Sequence, residues 1–192
     1  MYLACKQRIA ALVPLLKDQT PEVQAAAAAA IERLENSAGL EGVLVALKNG
    51  DTGTRVRAIY ALGEIGGEQV LKPLLYCAAR PEEELRSAAV SALGKIQLPQ
   101  ALSSIISALE DPSEAVQAQA LAALGNAHPS SVAPEKIAGF LACSDGLREA
   151  EAARTIGKLG ISSLANRLIP LLTSNHASTR LAAAEALGRI PF

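Results

Sequence analysis

The sequence predicts an all-α protein, a right-handed α–α superhelix built from about six helical hairpins. Three observations lead to this prediction. A glycine-containing phrase returns at intervals of 31 or 32 residues, the apolar residues around it follow a helical period, and 50% of the chain is hydrophobic although only 3% is aromatic. Alanine and leucine therefore supply the apolar surface, which suits closely packed helices because small side chains let helix axes approach.

The repeated phrase marks the end of a helix in each copy. It reads "RAIYALGEIGGEQ" at 57–69 and returns as "SALGKIQ", "AALGNAH", "RTIGKLG" and "EALGRIP", while a sixth copy, "AAIERLE", has Glu32 in place of glycine. A fixed repeat of this length indicates stacked units, since one hairpin cannot bury both of its apolar faces alone. We expect a single domain with repeats at 6–37, 38–68, 69–99, 100–130, 131–162 and 163–192. The recurring glycines are Gly63, Gly94, Gly125, Gly157 and Gly188.

A constant alanine precedes this marker in the second helix of every hairpin. It lies five residues before the marker, and one residue before the marker every copy has Ile or Leu. These offsets fall on one face of a helix. We expect the alanine to mark the closest contact between helices, where a larger side chain would overpack the interface. The six alanines are Ala27, Ala58, Ala89, Ala120, Ala152 and Ala183.

A first helix precedes the repeated phrase in each copy. Its apolar residues read, for example, "IAALVPLL", "VLKPLLYC" and "LANRLIPLL". Between the two helices lie segments such as "DQTPE", "NGDTG" and "DPSEA", which contain the Asp, Asn, Ser, Gly and Pro that helix caps and turns require. Each copy is therefore predicted to be an antiparallel helix pair, whose glycine permits either close approach of a neighbour or exit of the chain.

These residues resemble the HEAT repeat, and the short units resemble the bacterial HEAT-like class also found in phycocyanobilin lyase subunits. The segments that carry the resemblance are "TRVRAIYALGEIG" at 54–66, "LRSAAVSALGKI" at 85–96 and "TRLAAAEALGRI" at 179–190. The resemblance covers essentially the whole chain and implies a solenoid whose second helices line the concave side. It implies no single function, because scaffolds, adaptors and a few enzymes share this repeat.

The charge balance argues against a nucleic-acid or membrane partner. The chain has 18 basic and 19 acidic residues and no tryptophan, and its longest apolar stretch, at 25–30, is too short to span a bilayer. The N-terminal segment has no secretory signal. Three scattered cysteines, Cys5, Cys77 and Cys143, favour buried free thiols in a reducing compartment over a disulfide framework. We therefore expect a cytoplasmic protein.

Catalytic chemistry has little support in the sequence. His128 and His176 lie in different inter-helix loops and have no second histidine or cysteine at metal-binding spacing. The chain contains no phosphate-binding loop, nucleophile elbow or zinc-protease motif. We therefore predict no enzyme activity, no cofactor and no metal site. The alternative is a lyase-like subunit that handles a tetrapyrrole, and it rests on the resemblance in repeat type alone.

A polar pair in each repeat is predicted to be structural. The positions 14 and 8 residues before the marker hold, for example, Asp111 with Gln117 and Asn49 with Arg55. The HEAT resemblance implies that Asp and Arg at these places bond in a ladder along the stack. Because no copy carries both residues, we expect this ladder to be weak and broken.

The outward face of the second helices is the candidate partner-binding surface. It combines small side chains with mixed charges and a few larger apolar residues, which suits a helix or an extended peptide. We expect Tyr60, flanked by Arg57 and Glu64, to be the centre of binding because aromatic anchors dominate interfaces. The alternative is that alanine merely fills these helices well. Nine residues define this second-helix surface: Val56, Arg57, Tyr60, Glu64, Ser91, Lys95, Arg154, Leu181 and Glu185.

The predicted function is a noncatalytic scaffold or adaptor that presents this surface to a protein or peptide partner. The other interpretation is a structural segment of a larger regulatory protein. Neither end shows an added charged helix, so we expect either self-association through the terminal repeats or a segment of a longer array. The fifth repeat carries a one-residue insertion and two prolines, Pro129 and Pro134, for which we expect a kink or a widened loop.

Overall fold

The computed structural model describes residues 2–191, with the side chains of residues 5–191. These residues form eleven α-helices and no strand. None of the described helices combines the length and the apolarity needed to cross a membrane. The helices are α1 (Tyr2–Leu12), α2 (Pro21–Asn49), α3 (Thr52–Ile65), α4 (Leu71–Ala78), α5 (Glu83–Ile96), α6 (Pro99–Ser107), α7 (Glu114–Leu124), α8 (Pro134–Ala138), α9 (Arg148–Leu159), α10 (Ala165–Leu168) and α11 (Ala177–Arg189).

The helices confirm the predicted helical solenoid. Each second helix packs along the second helix of the next repeat, in the order α2, α3, α5, α7, α9 and α11. The first helices α1, α6, α8 and α10 each end in a 3₁₀ turn. Pro14 and Pro170 lie near the start of two of these turns, where a proline removes a backbone donor and so disfavours further α-helix.

The first two repeats are joined without a turn. Helix α2 is 29 residues long, so the repeat boundary expected at residue 37 falls inside a continuous helix. At three of the four later repeat boundaries the chain leaves the helical conformation at a residue with positive φ, namely Gly66, Gln97 and Gly160. The corresponding segment of α2, "LENSAGLEG", contains no proline, and Gly39 costs a helix only about 1 kcal/mol relative to alanine. Nothing local therefore forces the helix to end there.

A hydrophobic core runs through the later repeats, from Ile59 to Ile190. All six of the repeated alanines are buried, with 0% to 4% of their surface exposed. This burial confirms that the alanine face points into the stack. The first repeat is less well packed, since Ala27 is the one buried residue among the described side chains of α2.

Three of the five recurring glycines, Gly63, Gly94 and Gly157, lie where neighbouring second helices approach closely. A Cβ atom at Gly94 would lie 2.5 Å from the Cβ of Ala123, and one at Gly157 would lie 2.6 Å from the Cα of Ala186. Each alanine partner precedes the glycine of its own repeat by two residues. The marker glycines have no positive φ. Their role is therefore close packing of two backbones, whereas the chain leaves the helix at later residues.

The glycine contact predicts opposite effects for one substitution at two positions. Gly94→Ala should lower the free energy of unfolding by about 1–3 kcal/mol because the new methyl group overpacks the contact with Ala123. Gly188→Ala is the matched control, since nothing lies within 4 Å of its Cβ position. There we expect no loss, or a gain of up to about 1 kcal/mol from helix propensity. Urea-induced unfolding of both variants measures this, and equal effects would contradict the assigned role.

Candidate functional site

The second-helix surface extends over α3, α5, α9 and α11. Its two large apolar residues, Tyr60 and Leu181, are 50% and 56% exposed. They lie four helix steps apart, which corresponds to about 40 Å at about 10 Å per packed helix. Tyr60 and Leu181 therefore cannot belong to one compact binding centre. They mark the two ends of a long surface.

The charged residues of this surface form local ion pairs. Lys95 pairs with Glu64 of the preceding repeat, and both side chains are more than half exposed. Arg154 pairs with Glu151 on its own helix, and Arg57 donates to a threonine hydroxyl one turn away. Exposed pairs of this kind contribute only about 0–1 kcal/mol, so a partner can rearrange them at little cost.

The middle of the surface is shallow. The position seven residues before the marker is occupied there by Ala118 and Ala150, which are 5% and 0% exposed, whereas Val56 in the second repeat is half-buried. Ser91 is also half-buried. Four of the cavities in the described part of the chain have volumes of 240 to 560 Å³, and none of these four is lined by a residue of this surface. Its shape is therefore that of an open shelf.

A polar ladder runs along the edge where first and second helices meet. Arg86 binds Asp111 of the next repeat through two hydrogen bonds of 2.7 and 2.9 Å, and both side chains are mostly buried. Arg86 also donates to the backbone carbonyls of Arg80 and Pro81, at the end of the first helix of its own repeat. One side chain therefore closes the turn within a repeat and links it to the next repeat.

Other residue types continue this ladder where arginine or aspartate is missing. Gln117 donates to the backbone carbonyl of Asp111 at 2.8 Å and accepts from Arg148 at 2.8 Å. In the next repeat the buried Glu149 accepts a hydrogen bond of 2.9 Å from the hydroxyl of Thr179. The ladder that was expected to be broken is therefore continuous at these repeats. A side chain other than Asp or Arg can replace them if it is long enough to make the hydrogen bond.

The ladder breaks at Arg55, in the second repeat. This guanidinium contacts Glu82 at 3.9 Å, and its buried Nε atom has no hydrogen-bond partner among the described residues. The expectation of a broken ladder is therefore correct at this position.

Comparison with known proteins now identifies the repeat. The sequence profile of HEAT repeats matches residues 9–93 and 71–149, which is more than half of the chain. The chain belongs to the HEAT-repeat family. Comparison with curated protein sequences finds no significant match.

Solved structures with a similar fold include natural and designed helical repeats. An engineered protein is 22% identical with a TM-score of 0.58, covering 95% of this chain and 96% of that chain. The complex of CpcE and CpcF of phycocyanin lyase from Nostoc sp. PCC7120 is 19% identical with a TM-score of 0.63, covering 78% and 98%. A designed armadillo repeat protein in complex with the peptide (KR)4 is 18% identical with a TM-score of 0.57, covering 94% and 98%. At these identities the likeness shows the fold alone.

The thiols of this HEAT-repeat protein are not arranged as nucleophiles. All three cysteines are free, but only Cys77 is fully buried, whereas Cys5 and Cys143 are half-buried. Burial raises the pKa of the Cys77 and Cys143 thiols above the ordinary value. Both therefore stay protonated near neutral pH and are poor nucleophiles. Within residues 5–191, no three side chains of the metal-binding types come together.

The loop that precedes α9 in the irregular fifth repeat has two residues in the left-handed region, whereas the kink or widened loop expected from Pro129 and Pro134 stays a prediction. Ser144 and Gly146 both adopt positive φ angles, of 55° and 73°. A Cβ atom at Gly146 would lie 2.5 Å from the ring of His176, which packs on this loop. The histidine is therefore a packing residue of the loop, and it is far along the chain from His128.

Sequence reasoning missed a cavity between the first helices of the second and third repeats, which we call the first-helix cavity. It has a volume of about 560 Å³. Arg55 and Arg80 occupy the ladder positions 8 and 14 residues before the marker, but comparing the copies does not show that side chains from two repeats meet at a cavity. One local signal was present, because Tyr76 and Arg80 are spaced four residues apart, as neighbours on a helix surface are. The lining includes Leu44, Leu47, Lys48, Arg55, Lys72 and Tyr76.

The ladder predicts a large effect of Asp111→Asn on stability. Removing the carboxylate leaves Arg86 mostly buried without its counter-charge, which should lower the free energy of unfolding by about 2–4 kcal/mol at neutral pH. Glu114→Gln is the matched control. It removes the pairing of an exposed glutamate with Arg148 and should cost no more than about 1 kcal/mol. Chemical denaturation of both variants measures the difference.

The same contact predicts an acid-dependent loss of stability. Burial, the largest single influence, would raise the pKa of Asp111, but hydrogen bonds from Arg86 and the Ser113 amide, together with the Arg86 charge, lower it below the ordinary value. The stabilisation is therefore complete above the unfolded pKa of about 3.9 and is lost as pH falls through the lower folded pKa. Wild type should lose stability more steeply than Asp111→Asn in that window, and parallel pH profiles would contradict this assignment.

Proposed function

We propose that this protein is a noncatalytic interaction scaffold that binds a peptide segment of a partner protein along the second-helix surface. The observation that carries the proposal is the open shelf between Tyr60 and Leu181, with an exposed apolar side chain at each end and no cavity of its own. A pocket would favour a small molecule, whereas a shelf favours a chain.

The length of the shelf favours an extended segment of moderate size. An extended chain advances about 3.3 Å per residue, so about 12 residues span the estimated 40 Å between the two apolar ends. Apolar side chains near both ends of the segment would contact Tyr60 and Leu181. Preformed surfaces of this kind bind with little reordering of the protein, which reduces the entropic cost of association.

The charges between the two ends favour a partner with both signs of charge. Lys95 and Arg154 are basic, whereas Glu64 and Glu185 are acidic. In the free protein Lys95 pairs with Glu64, and Arg154 pairs with Glu151 on its own helix. A partner with alternating charges would exchange these pairs for intermolecular ones. Such exchange contributes more to specificity and to the association rate than to affinity.

Two of the similar structures are consistent with this use of the fold. The designed armadillo repeat protein is in complex with the peptide (KR)4, and CpcE is in complex with another protein, CpcF. These two observations describe those proteins, and the binding residues proposed for this chain come from its own structure. They support the proposal only in that solenoids of similar shape hold peptide and protein partners.

A peptide selected on the wild-type protein tests the placement of the site. A 12-residue peptide would be taken from a random library, and its Kd measured by fluorescence polarisation. Tyr60→Ala should weaken binding by at least about tenfold, as loss of an aromatic anchor does at hot spots, and Leu181→Glu should also weaken it. Tyr76→Ala is the matched control, because this tyrosine is 65% exposed but lies on a first helix. Unchanged affinity in the folded Tyr60 and Leu181 variants would refute the placement.

A further inference from the structure

The first-helix cavity has the size and the apolar floor of a small-molecule site. Its volume of about 560 Å³ lies within the range of about 300–1,000 Å³ that is typical of ligand pockets. Leu44 and Leu47 of α2 form one apolar wall, and Cys77 of α4 and Leu85 of α5 form another part of the lining. None of these residues belongs to the second-helix surface, so the cavity is a separate place on the molecule.

Four basic side chains line this cavity, and no acidic side chain does. They are Lys48, Arg55, Lys72 and Arg80. Glu82 lies beside the cavity and is shared by Arg55 and Arg80, at 3.9 and 3.5 Å. The ammonium groups of both lysines make no ion pair with any described residue. The cavity region therefore contains four positive charges and one negative charge, whereas the net charge of the whole chain is −1.

The hydrogen bonding of this cluster is incomplete. The Nε atom of Arg55 is buried and has no acceptor among the described residues, whereas the Oε2 atom of Glu82 lies 3.5 Å from the Nε atom of Arg80 in an ion pair. Buried polar atoms are nearly always paired, so unpaired ones need an explanation. At the matching position of the next repeat, Arg86 is fully engaged by Asp111. Arg55 has no carboxylate bound in this way, so its guanidinium group can still donate hydrogen bonds beside the cavity.

An aromatic side chain holds one of the cations at the rim. The guanidinium carbon of Arg80 lies 5.4 Å from the centre of the Tyr76 ring, and its Nη1 atom donates to the Tyr76 hydroxyl at 3.1 Å. The exposed ring therefore orients Arg80 and adds a flat apolar surface next to a positive charge.

We propose that the first-helix cavity binds a small amphipathic anion, an apolar or aromatic body that carries a carboxylate or phosphate group. The body contacts the leucine walls, and the anionic group lies among Arg55, Lys72 and Lys48. Guanidinium groups match planar or tetrahedral oxyanions through paired hydrogen bonds, and the lysines add charge. This site does not depend on the peptide-binding proposal and shares no residue with the second-helix surface.

Isothermal titration calorimetry with three small probes tests the ligand class. 2-Naphthoate has both the aromatic body and the charge, 2-naphthylmethanol has the body alone, and acetate has the charge alone. We expect 2-naphthoate to bind one site with a Kd on the order of 0.1 mM, as its size allows. The alcohol and acetate should each bind at least about tenfold more weakly, and added salt should weaken the naphthoate. No saturable naphthoate binding, or equal binding of the alcohol, would overturn the proposal.

Charge reversal at Lys72 tests the location. Lys72→Glu should raise the naphthoate Kd by about tenfold or more, since it replaces an attractive charge with a repulsive one. Its fold should be unaffected, because the lysine is exposed and unpaired. Lys136→Glu is the matched control, with the same change in net charge at an exposed position on α8. If both variants bound naphthoate equally weakly, its affinity would depend only on the net charge of the protein. That result would also overturn the proposal.

Discussion

Close packing of each second helix on the next is the contact on which the rest of the structure depends. At two of these interfaces the approach is so tight that no Cβ atom fits, because Gly94 faces Ala123 and Gly157 faces Ala186. A backbone-to-backbone contact of this kind leaves little freedom to slide or rotate. The direction of every outward side chain on these helices, including Leu181, follows from it. A larger residue at the contact would separate the layers and change the surface that a partner meets.

The two sides of the stack differ because only one of them has this tight contact. Second helices meet through small residues such as Gly94 and Ala123 where they pack most closely, and their outward face between Tyr60 and Leu181 is an open shelf. First helices carry larger side chains such as Leu44 and Tyr76, and four of them end in 3₁₀ turns. Because these side chains are larger and pack less regularly, space remains between the first helices of neighbouring repeats. The first-helix cavity is one such space. The same repeat therefore presents a surface suited to a chain and a cavity suited to a small anion.

The ladder shows how a repeat tolerates the loss of its standard residues. Gln117 replaces an arginine by donating to the same backbone carbonyl that an arginine reaches in other repeats. Glu149 provides an acceptor where other repeats have a donor, and it accepts a hydrogen bond from the hydroxyl of Thr179. Arg55 has no suitable partner, since the matching position of the next repeat holds Arg80, which carries the same charge. Sequence comparison looks for residue identity, whereas the geometry requires only a hydrogen-bonding group of adequate reach, and this is why the ladder was expected to be weaker than it is.

The sequence by itself determined the helical repeat, the buried alanine face and the family, because a period near 31 and a helical spacing of small residues leave no other way to bury the apolar surface. It also placed Tyr60 and Leu181 on the outside of second helices. Only the tertiary structure decided that these two residues are too far apart for one binding centre, that α2 continues through residue 37, and that Lys48, Arg55 and Lys72 converge on one cavity. Those outcomes depend on distances between side chains from different repeats, and periodicity along the chain carries no information about such distances.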